Sequence, residues 1–568
     1  MTPSHIANHH GVPTLFIDGQ PEAAMAYMTY FTEDGHYRQF REAGYRLFSV
    51  SVFFSDQGIN ATTGIRPFSP GIFREKGKAD FSVFDRQMEH ILAEVPDALI
   101  FPRVNTSMPR WWEAENPEEC NDTGCYGKPP RSCFASRKWL EQTLSMLGQF
   151  LDHAIQSPYS SHICGWQLAG GNTEEWLSFD QNGNTGRRAR EEFARRNPGN
   201  FQEHQFRRFL SEITAETICT LADFAKKKTE RKVIIGAFYG YLFETPDWQS
   251  ANHALRKILE CPDIDFLCAP MAYIARKIPG MDWPYMLPLE SLKRNGKLFF
   301  SEYDTRTCYT RFLADCHPGA CPDNEYRMSI WLGPDSEAET LEHLRMNFCR
   351  QVVSGCGSWW FDMFGGWYDS PVLMKQMAEF RKLMDLFLND PHRESIAECS
   401  AWIDEQCFSG LEHPEDFQCC KTGRFAIAKS GIPVDFYEIG DFKREIARYR
   451  AAVFFVPAPT PALREAQNYC RQHGIPFLEI RGSEEPDAAE IRKFALNSGC
   501  FRYCENIGST IYASRNLLGI LAAENGCYHL HLPEKRKCFR LFHPDGPEWT
   551  DTLETELKKG EIAAWRLE

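Results

Sequence analysis

Several features are missing from this sequence, and each absence excludes a class of protein. Lys and Arg (63) are outnumbered by Asp and Glu (77), the net charge is −14, and no basic stripe occurs, so the electrostatic footprint of a nucleic-acid-binding protein is absent. No run of about twenty apolar residues is present, and the N-terminal segment does not combine a basic start with an apolar stretch. We therefore expect no nucleic-acid partner, no membrane partner and a soluble cytoplasmic protein.

Signatures of metal and nucleotide binding are also scarce. The 21 cysteines are odd in number and scattered, which favours reduced thiols over a disulfide framework. Two loose groups occur, namely Cys120, Cys125 and Cys133, and Cys308, Cys316 and Cys321. Neither contains the C-x-x-C pairs of a structural zinc site, so loop thiols are the simpler interpretation, and metal binding at these groups stays open. The strand ends lack clustered His and Asp ligands, and the second half has no G-x-G-x-x-G motif or P-loop, so we expect no cofactor.

The length and the aromatic content of the chain point to a large folded protein. At 568 residues the chain exceeds one ordinary core, so two or three domains are expected. Aromatic residues make up 13% of the chain, more than a core requires. Flat aromatic faces are what sugar-binding clefts use to cover the C–H face of a pyranose.

After a short leading segment, β-type runs alternate with amphipathic helical stretches. The eight predicted strands are 23–30, 45–54, 98–104, 163–168, 232–239, 265–271, 297–301 and 357–361. The main predicted helices are 84–93, 138–154, 205–226, 338–353 and 372–388. Eight strand–helix units within residues 1–390 indicate an α/β fold, a closed (β/α)8 TIM barrel whose active site lies at the C-terminal ends of its strands.

Polar and aromatic residues follow these strands in the pattern of a sugar-binding site. The candidates for substrate binding are Arg103, Asn105, Asn172, Glu174, Tyr239, Tyr273, Arg306, Trp360, Asp362 and Trp367. Tyr241 and Asp304 occur at the same strand ends. Loops after barrel strands are often polar, but two carboxylates at the ends of strands four and seven are harder to attribute to chance, because those strands face each other across the mouth of a barrel.

The two carboxylate motifs carry a family resemblance. The strand-four segment, residues 165–176, reads GWQLAGGNTEEW, and the strand-seven segment, residues 298–307, reads LFFSEYDTRT. They resemble the glycoside hydrolase clan A barrels, whose acid/base follows strand four and whose nucleophile ends strand seven. Within the clan the likeness is to family 42 β-galactosidases, whose strand-four motif begins Trp-Gln and ends Asn-Glu before an aromatic residue. This chain differs by a longer turn, which separates Asn172 from Glu175.

The resemblance implies roles for these carboxylates. Retention of configuration requires an acid to protonate the leaving oxygen and a carboxylate about 5 Å away to attack the anomeric carbon. Glu302 corresponds to the nucleophile, kept ionised by a neighbouring cation such as Arg306, and Glu175 corresponds to the acid/base, with a raised pKa. Glu175 is favoured because Trp176 follows it, and Glu174 remains the alternative.

The other candidates have less specific roles. Trp360, Trp367 and Tyr273 are expected to stack on a sugar ring, or else to cover the barrel core. Arg103 and Asn105 are expected to hold hydroxyls of the terminal sugar. Asn172 is expected at the 2-hydroxyl.

The second half of the chain predicts two further units. Strand-like runs near 396–405, 434–437, 452–456 and 476–480 alternate with helical stretches, which indicates a flavodoxin-like α/β domain over residues 391–525. This part resembles the trimerisation domain of family 42 enzymes, so the resemblance implies a homotrimer. Alternating runs over residues 526–568 predict a small antiparallel β unit.

The resemblance implies a retaining, exo-acting β-glycosidase that releases terminal sugars from oligosaccharides. The loop over residues 111–133 is expected to cover the entrance partly and to make the enzyme exo-acting, unless it is surface decoration. A different glycon, chiefly mannose as in the related family 164 β-mannosidases, is the main alternative. A barrel that binds carbohydrate without catalysis is the second, because a fold alone does not establish an activity.

Overall fold

The computed structural model describes residues 1–57, 64–122, 130–171, 174–177, 186–199, 201–245, 250–411, 413–482, 485–543 and 545–568. These residues form a parallel barrel with surrounding helices, a parallel α/β unit and an antiparallel sheet. The expected fold class is therefore confirmed.

The barrel contains all eight strands that the sequence predicts. In chain order they are Met25–Met28, Leu47–Phe48 with Ser51–Phe53, Leu99–Ile100 with Arg103–Asn105, Gly165–Ala169, Ile234–Phe238, Phe266–Pro270, Leu298–Tyr303 and Gly357–Phe361. Strands 2 and 3 are each divided into two segments. Strand 8 pairs in parallel with strand 1, so the sheet closes on itself. The strands are buried along their whole length, as expected where helices cover a parallel sheet.

Helices follow every strand, and the five long ones are those that the sequence predicts. The eight that cover the barrel are Tyr37–Glu42, Ser82–Glu94, Arg137–Gln156, Glu203–Lys228, Leu255–Glu260, Leu289–Arg294, Glu337–Ser354 and Pro371–Leu388. Shorter helices in the connections are Arg110–Glu115, Arg187–Arg196 and Leu313–Cys316. Sequence signals set their ends, as where Ser370 caps the last barrel helix ahead of Pro371 at its first position. Within the described ranges, no helix is both long and apolar enough to cross a bilayer.

An aromatic cluster fills the barrel interior. Trp359 stacks on Phe101 and Phe300 with ring centroids 5.2 and 5.4 Å apart, and Phe266 meets Phe300 edge-on at 5.2 Å. The guanidinium of Arg103 lies over the Trp359 ring at 5.1 Å. Below this cation the barrel is a packed core, so the polar chemistry is restricted to its C-terminal end.

The leading segment forms a small antiparallel sheet at the opposite end of the barrel. Its strands are Ser4–His9, Val12–Ile17 and Gln20–Glu22. The backbone N–H of Thr2 donates to the carbonyl of Ile163, and that of Ser4 donates to the carbonyl of Lys232, both at 2.9 Å. Because Ile163 and Lys232 precede strands 4 and 5, this sheet covers the N-terminal end of the barrel.

The second half contains the two predicted sheets. The parallel sheet has the strands Cys399–Ile403, Val434–Glu438, Ala451–Phe455 and Phe477–Ile480, in the spatial order 2-1-3-4 that is typical of flavodoxin-like folds. Its helices are Gln418–Lys429, Phe442–Glu445, Pro461–His473 and Ala488–Asn497. The antiparallel sheet has the strands Thr510–Ala513, Leu517–Leu521, Gly526–Arg540, Glu548–Leu557 and Ile562–Leu567.

The antiparallel sheet begins earlier than the sequence suggests. It starts at Thr510 rather than at residue 526, because its first two strands pair with each other and the second pairs with Ile562–Leu567. These two strands are apolar and almost entirely buried. They therefore lack the polar–apolar alternation from which the unit was predicted.

Arg256 connects the barrel to the parallel α/β unit. Its Nε donates to Glu438 at 2.8 Å, its Nη2 to Asp441 at 2.9 Å, and its backbone N–H to Glu405 at 2.9 Å. Glu438 and Asp441 are 3% and 0% exposed. Arg256 therefore offsets the charge of carboxylates that are buried together, with Arg444 as a second partner of Asp441.

We expect Arg256→Met to lower the free energy of unfolding by about 3–5 kcal/mol, because breaking a buried ion pair leaves uncompensated charge. Urea unfolding followed by tryptophan fluorescence measures the loss. The matched control is Arg187→Met, which removes an exposed i,i+4 pair with Glu191 worth about 0.5 kcal/mol. Equal losses in the two variants would contradict the assignment.

Candidate active site

Arg103 lies at the centre of the C-terminal end of the barrel. Its side chain is fully buried, and it donates from Nη2 to Glu302 at 2.7 Å, from Nη1 to Glu174 at 3.4 Å and from Nε to Gln167 at 3.1 Å. One guanidinium thus joins the ends of strands 3, 4 and 7. The structure brings together the carboxylates that the sequence predicts from strands 4 and 7, although the pair that it bridges is Glu174 and Glu302.

Glu302 lies near the C-terminal end of strand 7 and is 5% exposed. Burial raises its pKa to about 7, while Arg103 opposes that rise and Asp304 adds to it. The predicted cation beside Glu302 was Arg306, and that prediction is wrong. Arg306 binds Asp304 instead, at 2.5 Å. Arg103 takes the expected place, because its strand lies opposite strand 7 across the barrel.

Glu174 accepts hydrogen bonds from Tyr30 and from Arg103. The Tyr30 hydroxyl donates to Glu174 Oε2 at 2.7 Å, and the residue is 2% exposed. Burial raises the pKa of Glu174, and Arg103, Tyr30 and the side chain of Asn105 each work against that rise. The predicted pair Arg103 and Asn105 therefore adjoins this carboxylate.

The turn after strand 4 adopts an unusual backbone. Glu174 and Trp176 have φ values of +78° and +58°, a region that side-chain-bearing residues enter at a cost of about 1 kcal/mol or more each. Trp176 is fully buried and its Nε1 donates to the carbonyl of Leu168 at 3.2 Å. Its ring also occupies the space where a Cβ on Gly170 would be, 2.7 Å away. The tryptophan fixes this turn and with it the directions of both glutamates.

Glu175 lies on the other side of the same turn and is less buried than Glu174. Its carbonyl accepts a hydrogen bond from Asn252 Nδ2 at 3.1 Å. Burial, and then the charges of Glu175 and Glu302, raise the pKa of the Tyr241 hydroxyl well above its usual range. The thiol of Cys268 is affected by the same two carboxylates, after burial as the largest cause of its raised pKa. Glu175 and Glu302 therefore act on the same groups at the ends of strands 5 and 6.

A second charged cluster adjoins Glu302. Asp304 accepts from Arg276 Nη1 at 2.6 Å and from Arg306 Nη1 at 2.5 Å. Burial favours its neutral form, but the two arginines outweigh burial and hold the pKa of Asp304 below its usual range. The Arg306 guanidinium lies 5.6 Å from the ring of Tyr273 and 5.7 Å from that of Trp367. Three of the predicted residues thus meet here.

Two predicted residues face away from this site. The Tyr239 hydroxyl accepts a hydrogen bond from the backbone of Ala254 at 2.9 Å, and the Trp360 ring packs on Tyr303 and Phe380 at 5.0 and 5.7 Å. In both strands the preceding residue points into the barrel, and the alternation of a β-strand turns the next one towards the helices. Their predicted roles in substrate binding are therefore not supported.

Asp362 has a contact pattern of its own. Its carboxylate accepts from the Tyr27 hydroxyl at 2.9 Å, from His36 Nδ1 at 3.0 Å and from the backbone N–H of Trp367 at 2.9 Å. With three protein donors and no exposed surface, this carboxylate fixes the loop after strand 8 instead of facing a substrate. Asn172 lies outside the described residues.

Sequence reasoning missed three residues of the site as candidates. Tyr30 and Gln167 contact its charged groups, and Trp331 lies 5.0 Å from the Arg306 guanidinium. Tyr241, which was noted at the end of strand 5, adjoins Glu175 electrostatically. Gln167 carried a usable signal, because a polar residue in the middle of a strand that is buried on both faces needs a partner. Trp331 carried none, since it lies far beyond the end of strand 7.

The cysteine groups do not form a metal centre in the part of the chain that the structure covers. Cys120 and Cys133 are buried, and Cys125 falls outside the described residues. Over those described, no three or more His, Cys, Asp or Glu side chains are arranged to hold a metal ion.

The raised pKa of Glu302 gives a pH-dependent stability. A carboxyl whose pKa rises from 4.5 to about 7 on folding contributes stability that is complete below pH 4.5 and is lost as the pH rises through 7. Glu302→Gln removes this titration, so its stability relative to the wild type should increase by about 3 kcal/mol between about pH 4.5 and about pH 8.

Urea unfolding at the two pH values measures this change, with the exposed Glu534→Gln as the control. Glu534 is 74% exposed, so its variant should show no such trend. A difference between Glu302→Gln and wild type that stays constant with pH would contradict the assigned environment.

The geometry can be compared with that of known proteins. No protein-family model matches the sequence, and no curated protein matches it. Among solved structures, a β-galactosidase of the psychrophilic Marinomonas ef1 is similar over 96% of this chain and 100% of its own, with a TM-score of 0.62 and 10% identity. A family 42 β-galactosidase of G. stearothermophilus is similar over 96% of this chain and 98% of its own, with a TM-score of 0.59 and 11% identity. A family 42 exo-carrageenase of Bacteroides ovatus is similar over 100% of this chain and 85% of its own, with a TM-score of 0.57 and 11% identity. The chain therefore has the fold of family 42 glycoside hydrolases, as its two carboxylate motifs predicted.

Proposed function

We propose that the protein is a retaining β-glycosidase that removes terminal sugars from oligosaccharides. The observation that carries the proposal is the buried bridge from Arg103 to Glu302, with Glu174 and Glu175 on the turn that follows the opposing strand. Hydrolysis with retention uses two carboxyl groups from opposite sides of the scissile bond. Strands 4 and 7 supply carboxyl groups from opposite walls of the barrel.

Glu302 is the nucleophile in this proposal. Its bond to Arg103 at 2.7 Å orients one carboxylate oxygen and favours the ionised form, which is the form that attacks. Burial alone would keep the group protonated. The balance leaves its pKa at about 7, so the carboxylate is available near neutral pH and is poorly solvated, which favours reaction with carbon.

Glu175 is the better acid/base, and Glu174 is a positioning residue. The oxygen of Glu174 that faces Arg103 already accepts from Tyr30, and the residue is 2% exposed, so this oxygen is engaged by two protein donors. Glu175 is more accessible, and its charge acts on Tyr241 and Cys268 together with that of Glu302.

The reaction then takes two balanced steps. Glu302 attacks the anomeric carbon, the bond from that carbon to the leaving oxygen breaks, and Glu175 gives its proton to this oxygen. Water next attacks the same carbon, Glu175 takes a proton from the water, and the bond to Glu302 breaks. The sugar leaves with its original configuration.

The proposals for the glycon, for exo-action and for the oligomeric state rest on the fold. Galactose is the proposed glycon because the solved neighbours include β-galactosidases, and mannose is the alternative that the same experiment tests. Exo-action, attributed to the segment over residues 111–133, and the homotrimer stay predictions of the resemblance. Tyr273 and Trp367 remain the proposed aromatic contacts of the sugar.

A panel of 4-nitrophenyl glycosides tests the activity. We expect the wild type to hydrolyse one of the β-galactoside, β-mannoside, β-glucoside, β-fucoside and α-arabinoside, and Glu302→Gln to lower kcat/KM for it by about 10³-fold or more. The exposed Glu534→Gln serves as the control and should match the wild type. If the wild type hydrolyses none of the five, or if Glu302→Gln retains full activity, the proposal fails.

Azide rescue separates the roles of the two strand-four glutamates. Glu175→Gln should slow hydrolysis by about 10²–10⁴-fold, less for a 2,4-dinitrophenyl leaving group, which needs no protonation. Azide should restore turnover and yield a β-glycosyl azide, because the glycosyl-enzyme still forms and small anions need no general base. Glu174→Gln should be slower for both leaving groups and should not respond to azide. The reverse result would assign the acid/base to Glu174.

A further inference from the structure

Four buried donor nitrogens that have no acceptor among the described residues occur together beside the proposed catalytic site. Arg306 is 4% exposed, and its Nε and Nη2 have no hydrogen-bond partner among the described residues. The indoles of Trp331 and Trp367 lie 5.0 and 5.7 Å from its guanidinium, and neither indole Nε1 has a partner there. An unsatisfied buried donor costs about 1–3 kcal/mol, so a cluster that holds only donors indicates a missing acceptor.

The charge of this cluster is positive. Asp304 is the carboxylate that binds Arg306, and it is shared with Arg276. Every nitrogen of the Arg276 guanidinium is bonded, to Asp304 and to the carbonyls of Met271 and Ala272. Two cations therefore share one anion, and of the two guanidinium groups that of Arg306 has the spare donors. In a chain of net charge −14, this excess of positive charge is local.

The cluster adjoins the reacting groups. Tyr273 packs against the guanidinia of Arg276 and Arg306 at 4.0 and 5.6 Å. Burial, then Asp304 and Glu302, raise the pKa of the Tyr273 hydroxyl, and Arg276 and Arg306 oppose that rise. A single half-buried tyrosine thus adjoins the spare donors and interacts electrostatically with the proposed nucleophile.

We propose that Arg306, with Trp331 and Trp367, forms a subsite for an anionic substituent of the substrate, either a sulfate ester or a carboxylate. An oxyanion accepts several N–H groups at once, and a guanidinium with its Nε and one Nη free presents the two parallel donors that such a group binds in bidentate fashion. The substrate class is then an acidic glycan. This inference rests on the proposed glycosidase function for its sugar but not for its anion.

The anion is tested first without any sugar. Thermal unfolding of the full-length protein is measured in sodium sulfate and in sodium chloride of equal ionic strength, for the wild type, Arg306→Gln, Arg306→Lys and Arg327→Gln. Arg276 keeps Asp304 paired in the Arg306 variants, so they should fold. Arg327 is the matched control, because it lies on the same connection and forms an exposed pair with Asp315. We expect the extra stabilisation by sulfate in the wild type and in Arg327→Gln, little in Arg306→Gln and part of it in Arg306→Lys.

Calorimetric titration of Glu302→Gln then identifies the substituent. The ligands are 4-nitrophenyl β-galactoside, its 6-sulfate and the corresponding β-galacturonide. We expect one of the two anionic ligands to bind tighter than the neutral one by about tenfold or more, and the added change Arg306→Gln to remove that preference. The tighter of the two distinguishes sulfate from carboxylate.

The outcomes separate this inference from the proposed function. If sulfate stabilises the protein through Arg306 while no glycoside is hydrolysed, the anion subsite stands and the glycosidase proposal fails. If neutral glycosides are hydrolysed while the anionic ligands show no preference, or a preference that Arg306→Gln retains, the subsite is overturned and the glycosidase proposal stands. An equal effect of sulfate on the wild type and on Arg306→Gln would also overturn it.

Discussion

Arg103 is a fully buried cation, and its compensation shapes the whole C-terminal end of the barrel. Its planar face lies on Phe238 and Trp359 at 4.4 and 5.1 Å, while its edge donates to side chains from strands 4 and 7. A buried charge is tolerated only where geometry and hydrogen bonds offset its desolvation. The two carboxylates that meet this need are therefore bound to the arginine as much as to their own strands.

Glu174 and Glu302 compete for one cation. The charge of Arg103 is shared between Glu174 and Glu302, so neither overcomes burial, and the pKa of each is raised. Two residues after Glu302, just beyond the end of strand 7, the arrangement is reversed, because Asp304 binds two arginines and its pKa is lowered. Residues 302 and 304 occupy the same face of the strand. The electrostatic potential therefore changes sign across a short stretch of the barrel mouth.

The features that the sequence predicted well are those that depend on repetition and strand position. Eight alternations of strand and helix predict the barrel, and the end of strand 7 places Glu302. The errors arise where a shift of one residue along a strand decides whether a side chain points into the barrel or towards the helices. Tyr239 and Trp360 each follow an inward-facing residue. Counting strands locates a strand but does not tell which of two neighbouring residues faces the interior. The partner of Glu302 was missed for another reason, since Arg103 is 199 residues away in sequence whereas Arg306 is close to it. Proximity along the chain is a poor guide to pairing across a barrel.

The sheet that covers the far end of the barrel has a consequence for the order of assembly. Its first residues hydrogen-bond to Ile163 and Lys232, so the hairpin has no docking surface until strand 5 has been made. At about 5–20 residues per second of synthesis, its apolar face waits for roughly 10 to 50 seconds on the ribosome. During that interval the apolar face of the hairpin is exposed and is a binding site for chaperones of nascent chains. Docking of this hairpin therefore follows the synthesis of strand 5 and can precede closure of the barrel by strand 8.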